Sequence, residues 1–196
     1  MKTFLTEIKT SLLLTLVIAV LLCGAYPLAV WAGGQALFAD KANGSLITDP
    51  DGTVRGSSLL AQNFASAKYF QPRPSAAGTG YDATSSSGTN LGPTSQKLAD
   101  SIKAAAAAYR TANGLAADAT VPADAVTSSG SGLDPHISVA NAQLQAARIA
   151  KARSLPQEKI QALIGSHTED RDWGVFGESR VNVLQLNRAL DQHEGR

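Results

Sequence analysis

The chain has 196 residues, of which 44% are hydrophobic, and this is enough apolar material for one modest domain with its own core. Its 17 Lys and Arg residues nearly balance its 16 Asp and Glu residues, so the formal net charge is +1. Nucleic-acid-binding proteins carry strongly basic surfaces, and this composition argues against that class of partner. Cys23 is the only cysteine, which excludes an intrachain disulfide and a cysteine-rich metal site.

The amino-terminal part of the chain contains an uncharged apolar run, SLLLTLVIAVLLCGAYPLAVW, from Ser11 to Trp31. As a helix this run would be about 30 Å long, which is the thickness of a hydrocarbon core, so we predict a transmembrane helix over residues 11–32. A cleaved signal peptide is an alternative, but its apolar region is usually about 7 to 15 residues long. Lipoprotein processing at Cys23 is disfavoured by the bulky Leu22 that precedes it.

Charges around the apolar run predict its orientation. Lys2 and Lys9 precede the run, whereas the next basic residue after it is Lys41. By the positive-inside rule the amino terminus lies in the cytoplasm, and Tyr26 and Trp31 mark the opposite interface of the membrane. We therefore predict three parts: a cytoplasmic segment 1–10, the span 11–32 and an extracytoplasmic domain 33–196.

Two turn-rich stretches follow the span. The sequence DPDG is typical of a tight turn and lies between two short β-prone runs, which predicts a hairpin over residues 45–64. Residues 75–95 are rich in Gly, Ser and Thr and could be a disordered linker. Because this stretch also contains Tyr81 and Asn90, we interpret it as an ordered surface loop.

Three helices are predicted in the next part of the chain. Apolar residues at helical spacing indicate the first helix, with a cap at Thr94 or Ser95 and a stop at Asn113 and Gly114. A second helix is expected over about residues 138–153. Pro156 suits the first turn of a third helix, which stops at Gly165.

The end of the chain combines strand and helix signals. Val181 and Val183 alternate as in a strand, whereas the following LQLNRALD fits a strand or a helix equally well. The predicted fold class is one amino-terminal transmembrane helix followed by a single α+β soluble domain.

The stretch SSGSGLDPHIS, residues 128–138, contains the residue types of an active site. A serine hydrolase would need a serine held beside His136, but the chain has no G-x-S-x-G sequence. Asp134 and His136 could begin a metal site, but no third and fourth ligand are evident, so we predict no metal. The simpler interpretation is a helix start, with Asp134 or Ser138 as the cap and Pro135 in the first turn.

Two other polar stretches have more than one interpretation. In YFQPRPS, Arg73 either lies in solvent or is held between prolines as a rigid fork for a partner's carboxylate or carbonyl. HTEDRDWG, residues 167–174, is most simply a solvated charged loop, although its polar groups could bind a cation. The chain has neither a G-x-x-x-x-G-K-[ST] phosphate loop nor the Asp-Lys-Thr-Gly-Thr run that P-type ATPases phosphorylate, so we expect no ATP hydrolysis by this chain alone.

Taken together, these stretches resemble one family, the C subunits of the Kdp potassium-transporting P-type ATPases. The resemblance rests on the apolar amino-terminal run and, in order, on ANGSLI, GSSLLAQNF, YFQPRPS, SSGTNLGP, VPADAVTSSGSGLDPHIS, LQAARIAKAR and RVNVLQLNRALD. These stretches extend over nearly the whole chain, and their combination is specific. The chain departs from the family pattern at Ala61, where glycine is common, and at Gln71 and Pro72, where histidine and glycine are common.

The resemblance implies a non-catalytic subunit of a high-affinity, ATP-driven potassium uptake system in the bacterial inner membrane, and the charges around the span place its large domain in the periplasm. The implied partners are a channel-like potassium-translocating subunit and an ATP-hydrolysing P-type subunit. The implied role is assembly and stabilisation of that complex, together with a catalytic-chaperone effect that raises the ATP affinity of the pump subunit. The position that the family associates with nucleotide matches Gln145. No tightly bound cofactor is expected, and ATP is implied by the resemblance only.

The predicted orientation of the chain does not fit direct contact between Gln145 and ATP. The predicted orientation places Gln145 outside the cytoplasm, where ATP is not supplied, so we expect an assembly role rather than direct contact with ATP. We predict that the following residues contact partner subunits: Gly24, Ala25, Arg73, Asn90, Asp134, His136 and Ser138. The alternative is a free-standing, membrane-anchored periplasmic binding protein or hydrolase.

Overall fold

The computed structural model describes residues 2–194, so the outermost residues of the predicted segments 1–10 and 33–196 lie outside the described part of the chain. The chain divides into two compact units between Ser57 and Ser58. The first unit contains a long apolar helix and a hairpin, and the second contains helices and a small sheet. The predicted class, an apolar amino-terminal helix followed by an α+β domain, is therefore confirmed.

A helix from Thr3 to Ala42 in the first unit is long and apolar enough to cross a membrane. This apolar stretch lies within three consecutive helical parts: α1 (Lys2–Ala19), a π-helical stretch (Val20–Ala25) and α2 (Tyr26–Ala42). Pro27 explains why the hydrogen-bond register widens just before it, because proline has no N–H to donate and its ring crowds the carbonyl four residues earlier. The predicted span 11–32 lies inside this longer helix.

The predicted hairpin follows the helix and is confirmed, with a shorter second strand than expected. Strands β1 (Leu46–Thr48) and β2 (Val54–Ser57) pair in antiparallel fashion. The turn between them is closed by a hydrogen bond of 2.9 Å from the Asp49 N–H to the Thr53 carbonyl. Gly52 has a φ of 85°, which a residue without a side chain adopts at little cost.

The second unit contains four α-helices and three short strands within its described residues. The helices are α3 (Gln96–Asn113), α4 (Val139–Arg153), α5 (Gln157–Ser166) and α6 (Val183–Glu194), and a 3₁₀ turn covers Ala123–Ala125. The strands are β3 (His136–Ser138), β4 (Thr168–Glu169) and β5 (Arg180–Asn182). They form an antiparallel sheet in the order β3-β5-β4.

The core of this unit lies between the sheet and the helices α4, α5 and α6. Its large, fully buried side chains are Phe70, Ile137, Ile149, Ile160, Ile164, Val181, Val183, Leu186 and Leu190. Since α4 packs its apolar side chains into this core, its polar residues are held in fixed positions towards neighbouring loops.

Local signals in the sequence account for the helix boundaries. The Ser95 side chain accepts a hydrogen bond of 3.4 Å from the Leu98 N–H, and Gly114 ends α3 with a φ of 65°. Ser138 caps α4 by accepting a hydrogen bond of 3.1 Å from the Asn141 N–H. These predicted boundaries are confirmed. At the end of the chain Val181 lies in β5 as predicted, whereas Val183 is the first residue of α6, and the ambiguous run LQLNRALD is helical.

One part of the predicted start of α4 is wrong. Asp134 does not cap the helix and Pro135 does not lie in its first turn, because β3 separates both residues from α4. The pairing with β5 explains the difference: the Pro135 carbonyl accepts a hydrogen bond of 2.9 Å from the Val183 N–H, and the next three residues join the sheet. Tertiary pairing therefore overrides the local helix-start signal at this position.

Candidate functional site

Gln145, the position for which the resemblance predicted a nucleotide role, lies on α4 and is only 1% exposed. Its Oε1 atom accepts a hydrogen bond of 2.7 Å from the Gln71 N–H, and its Nε2 atom donates one of 3.1 Å to the Gln71 carbonyl. The side chain therefore holds the backbone of YFQPRPS against α4 and uses both ends of its amide to do so.

Gln145 belongs to a row of polar side chains on one face of α4, which we call the α4 polar row: Asn141, Gln145 and Arg148. Their spacing of four and three residues places them on the same side of the helix. The Gln145 Nε2 atom also donates to the Asn141 Oδ1 atom at 2.9 Å, and the Arg148 Nη2 atom donates to the Gln145 Oε1 atom at 2.7 Å. The row is internally hydrogen-bonded along its length.

The α4 polar row also joins α4 to α3. The Tyr109 hydroxyl donates to the Asn141 Oδ1 atom at 2.8 Å, and the Arg148 Nε atom donates to the Asn113 Oδ1 atom at 2.9 Å. Burial, together with the negative charge of Asp124, raises the pKa of Tyr109, and burial lowers the pKa of Arg148. Because the neutral tyrosine is favoured in the folded chain, its contribution to stability is complete below the ordinary pKa of 10 and is lost as pH rises further.

An open groove of about 400 Å³ lies beside the α4 polar row. Tyr109 and the alanine face of α3 line it on one side, and Phe64, Tyr81 and two prolines of YFQPRPS line the other. The lining residues include no charged side chain, so this groove lacks the cations that hold phosphates in nucleotide sites.

Three of the predicted interface residues come together in a second cluster, which we call the charge row. It alternates cationic or imidazole groups with carboxylates in the order Arg73, Asp134, His136, Glu169 and Arg180. Neighbouring groups are 3.2, 3.3, 3.7 and 3.2 Å apart in that order. Arg73 therefore meets a carboxylate of its own chain and does not extend freely into solvent.

The pKa of Asp134 shows how the charge row is balanced. Partial burial raises this pKa, but hydrogen bonds from His136 and the charges of His136 and Arg73 outweigh burial and hold it below its usual range. A lowered pKa means that Asp134 contributes stability above its ordinary value of 3.8, and that this contribution is lost as the pH falls through the folded pKa.

The geometry of His136 bears on the hydrolase and metal hypotheses. Within the described part of the chain, the ring of His136 pairs with the carboxylates of Asp134 and Glu169, and no serine hydroxyl is hydrogen-bonded to it as a nucleophile would be. Among the described residues there is also no group of three or more His, Cys, Asp and Glu side chains placed to hold a metal ion.

The glycine-rich part of SSGSGLDPHIS packs against the loop 75–95. The Ser75 hydroxyl donates to the Gly132 carbonyl at 2.6 Å, and the Ser87 N–H donates to the Ser131 carbonyl at 2.9 Å. Gly132 has a φ of 67°, and a Cβ atom there would lie 2.6 Å from the Ser87 carbonyl oxygen. The hydrogen bonds confirm that loop 75–95 is ordered, and they give this stretch an architectural role.

Sequence reasoning missed Asp124, which holds the start of α4. Its Oδ2 atom accepts hydrogen bonds from the Ser138 N–H at 2.8 Å and the Asn141 Nδ2 atom at 2.9 Å, and its Oδ1 atom accepts one from the Ser138 hydroxyl at 2.9 Å. A single carboxylate in the apolar segment VPADAV was the available signal, because such a group needs nearby donors.

The remaining predicted interface residues lie apart from these clusters. Asn90 is exposed in the loop and has a left-handed φ of 52°. Gly24 and Ala25 lie in the π-helical stretch of the first unit.

We expect Ser138→Ala to lower the free energy of unfolding by about 1 to 2 kcal/mol, since it removes both the helix cap and one hydrogen bond to Asp124. Thermal unfolding of the full chain in detergent measures this loss. Ser101→Ala is the matched control, because the Ser101 hydroxyl bonds only within its own helix, to the Leu98 carbonyl. Equal melting temperatures for the two variants would contradict the capping role.

The helix and the second unit define the class of this protein: one potential membrane-spanning helix joined to an α+β domain whose central polar side chains hold its own loops. The sequence matches the family described as "KdpC: K+-transporting ATPase, c chain" over residues 8–192. The chain belongs to the KdpC family, as the sequence motifs predicted, and is a subunit type of potassium-transporting ATPases.

Curated relatives support the same family. The chain is 52% identical to the potassium-transporting ATPase KdpC subunit of Mycobacterium bovis (strain BCG / Pasteur 1173P2) over 186 residues, 95% of this chain and 98% of the relative. It is 51% identical to the subunit of the same name from Nitratidesulfovibrio vulgaris (strain DSM 19637 / Miyazaki F) over 192 residues, 97% of this chain and 96% of the relative. The corresponding protein of Caulobacter vibrioides (strain NA1000 / CB15N) is 52% identical over 188 residues, 95% of this chain and 93% of the relative.

Proposed function

We propose that this chain is a non-catalytic subunit that assembles and stabilises a potassium-transporting ATPase in the bacterial inner membrane. Its proposed partners are the channel-like potassium-translocating subunit and the ATP-hydrolysing subunit. The amino terminus lies in the cytoplasm and the second unit lies in the periplasm. The main structural support for this proposal is that Gln145 is buried and that both ends of its amide form hydrogen bonds with the backbone of Gln71.

In this proposal the chain influences ATP affinity through subunit contacts and not by touching ATP. A nucleotide bound by Gln145 would have to break its hydrogen bonds to Gln71, Asn141 and Arg148. The residues that line the adjacent groove include no Lys or Arg, so they could not compensate for these lost hydrogen bonds by binding a phosphate group. A catalytic-chaperone effect therefore needs only that assembly favours the nucleotide-binding conformation of the ATP-hydrolysing subunit.

Purification in mild detergent tests the proposal. The tagged full-length chain, expressed with the two proposed partners, should bring down both of them. A chain that purifies alone under conditions in which the partners stay folded would favour the alternative, a free-standing anchored protein.

The membrane helix is expected to take part in assembly. Gly24 and Ala25 lie among bulky apolar residues, and small residues allow close contact between helices in lipid. Replacing both by leucine should weaken copurification about tenfold if the lost packing is worth about 1.4 kcal/mol. Ala19→Leu, which enlarges a small residue at the end of α1 outside the π-helical stretch, is the control. Equal yields from all variants would show that the helix serves only as a tether.

A further inference from the structure

The hairpin between β4 and β5 exposes an apolar tip, residues 173–176, which we call the aromatic tip. Trp173 is 92% exposed, Val175 is 70% exposed and Phe176 is 61% exposed. The rings of Trp173 and Phe176 meet edge to face, with their centroids 6.0 Å apart and an interplanar angle of 73°. Adjacent exposed aromatic residues of this kind are typical of protein interaction sites.

The aromatic tip is held in shape by the hairpin beneath it. The N–H and carbonyl groups of Asp172 and Phe176 exchange two hydrogen bonds of 2.9 and 3.0 Å. Below them, an ion pair of 2.8 Å joins Arg171 to Glu178, and Arg180 lies 3.4 Å from Asp172. The tip is therefore ordered before any partner arrives, which reduces the entropy lost on binding.

The backbone at the tip has an unfavourable conformation. Trp173 has a φ of 54°, a left-handed conformation that is unfavourable for a residue with a side chain. Its side chain is almost fully exposed, and its ring packs against Phe176 of the same tip. Strain that presents an aromatic side chain to solvent points to a use outside the chain.

Charges around the tip select the kind of partner. The hairpin has a net charge of −2. It contains four carboxylates, at Glu169, Asp170, Asp172 and Glu178, and two guanidinium groups, at Arg171 and Arg180. A second copy would bring like charges together. An anionic membrane surface attracts basic elements, and this hairpin is acidic. Charge complementarity therefore favours a protein surface with an apolar recess and a basic rim.

We propose that the aromatic tip docks into such a recess, bordered by Lys or Arg side chains, on another subunit of the same potassium-transporting ATPase. The inference rests on the proposed function, because it requires that the chain is part of that complex. Trp173 and Phe176 fill the recess, and the carboxylates of the hairpin face the basic rim.

A photo-crosslinking amino acid at position 176 tests this proposal in the full-length chain, expressed with its two proposed partners. The expected product is a covalent adduct with one of those subunits, in a peptide that contains apolar residues beside Lys or Arg. A crosslinker at Leu59, which is 60% exposed in the same unit, is the control. A lipid adduct, an adduct between two copies, or no adduct in a chain that copurifies would overturn the docking site alone. Failure to copurify would overturn the proposed function as well.

A double variant gives a second readout. Trp173→Ser with Phe176→Ser should leave the melting temperature of the chain no lower, since both side chains are exposed, but should weaken association at least about 30-fold. Leu59→Ser should change neither quantity. A fall in melting temperature with unchanged association would show that the tip serves only the fold, and would overturn the proposal.

Discussion

Replacing Gln145 by alanine is expected to destabilise the second unit by about 2 to 4 kcal/mol, whether or not nucleotide is present. The variant leaves the half-buried N–H and carbonyl of Gln71 without these partners and removes an acceptor from Arg148. Buried polar groups that lose their hydrogen bonds account for most of this cost, and the cavity left by the side chain adds to it.

Thermal or denaturant unfolding of the full chain measures the effect of Gln145→Ala. Gln157→Ala, at an exposed position at the start of α5, is the control and should be nearly neutral. A variant that keeps its melting temperature but abolishes the effect of the chain on the ATP affinity of the assembled pump would contradict the structural role of Gln145. It would support direct contact between Gln145 and ATP instead.

The second large effect is expected at Gly132. A Cβ atom there would lie 2.6 Å from the Ser87 carbonyl oxygen and 2.7 Å from the Ala77 N atom, and the φ of 67° disfavours any side chain. Because both obstacles are backbone atoms that a rotamer change cannot move, Gly132→Ala should cost about 2 to 4 kcal/mol and loosen loop 75–95.

Gly130→Ala is a close control for Gly132→Ala. Gly130 lies two residues earlier in the same turn, yet a Cβ atom there would have no neighbour within 4 Å. Limited proteolysis at loop 75–95 and the melting temperature should change for Gly132→Ala and stay nearly constant for Gly130→Ala. Equal behaviour of the two variants would mean that the packing of the turn on loop 75–95 contributes little to stability.

Local signals made much of the fold predictable from the sequence. Ser95, Gly114 and Ser138 mark helix boundaries through short-range capping, which depends on neighbouring residues only. DPDG marks the hairpin for the same reason. The three-residue strand β3 was not predictable from its local sequence. It forms by pairing with β5, which lies more than forty residues later in the chain.

The candidate site was predictable as a set of residues but not as an arrangement. Arg73 was identified because it lies between two prolines, and Asp134 and His136 because they flank a proline in a glycine-rich stretch. The contact between Arg73 and Asp134 could not be predicted, because it joins segments that are far apart in the chain. Arg73 pairs with Asp134 and Gln145 pairs with Gln71, so each of these side chains has a partner within its own chain that its local sequence does not reveal. The exposure of Trp173 was not predicted, because most residues of HTEDRDWG are charged or polar and the stretch was interpreted as a solvated loop.

The proposed periplasmic assembly role is tested most directly by measuring on which side of the membrane the second unit lies, because ATP is available on the cytoplasmic side only. Ala83→Cys places a thiol at an exposed position of loop 75–95, and a membrane-impermeant thiol reagent can be applied to intact spheroplasts. We predict full labelling of this cysteine before lysis, while Cys23 within the apolar helix stays unlabelled. Protection of the new cysteine until the membrane is broken would contradict a periplasmic assembly role and would make direct contact with ATP the better hypothesis.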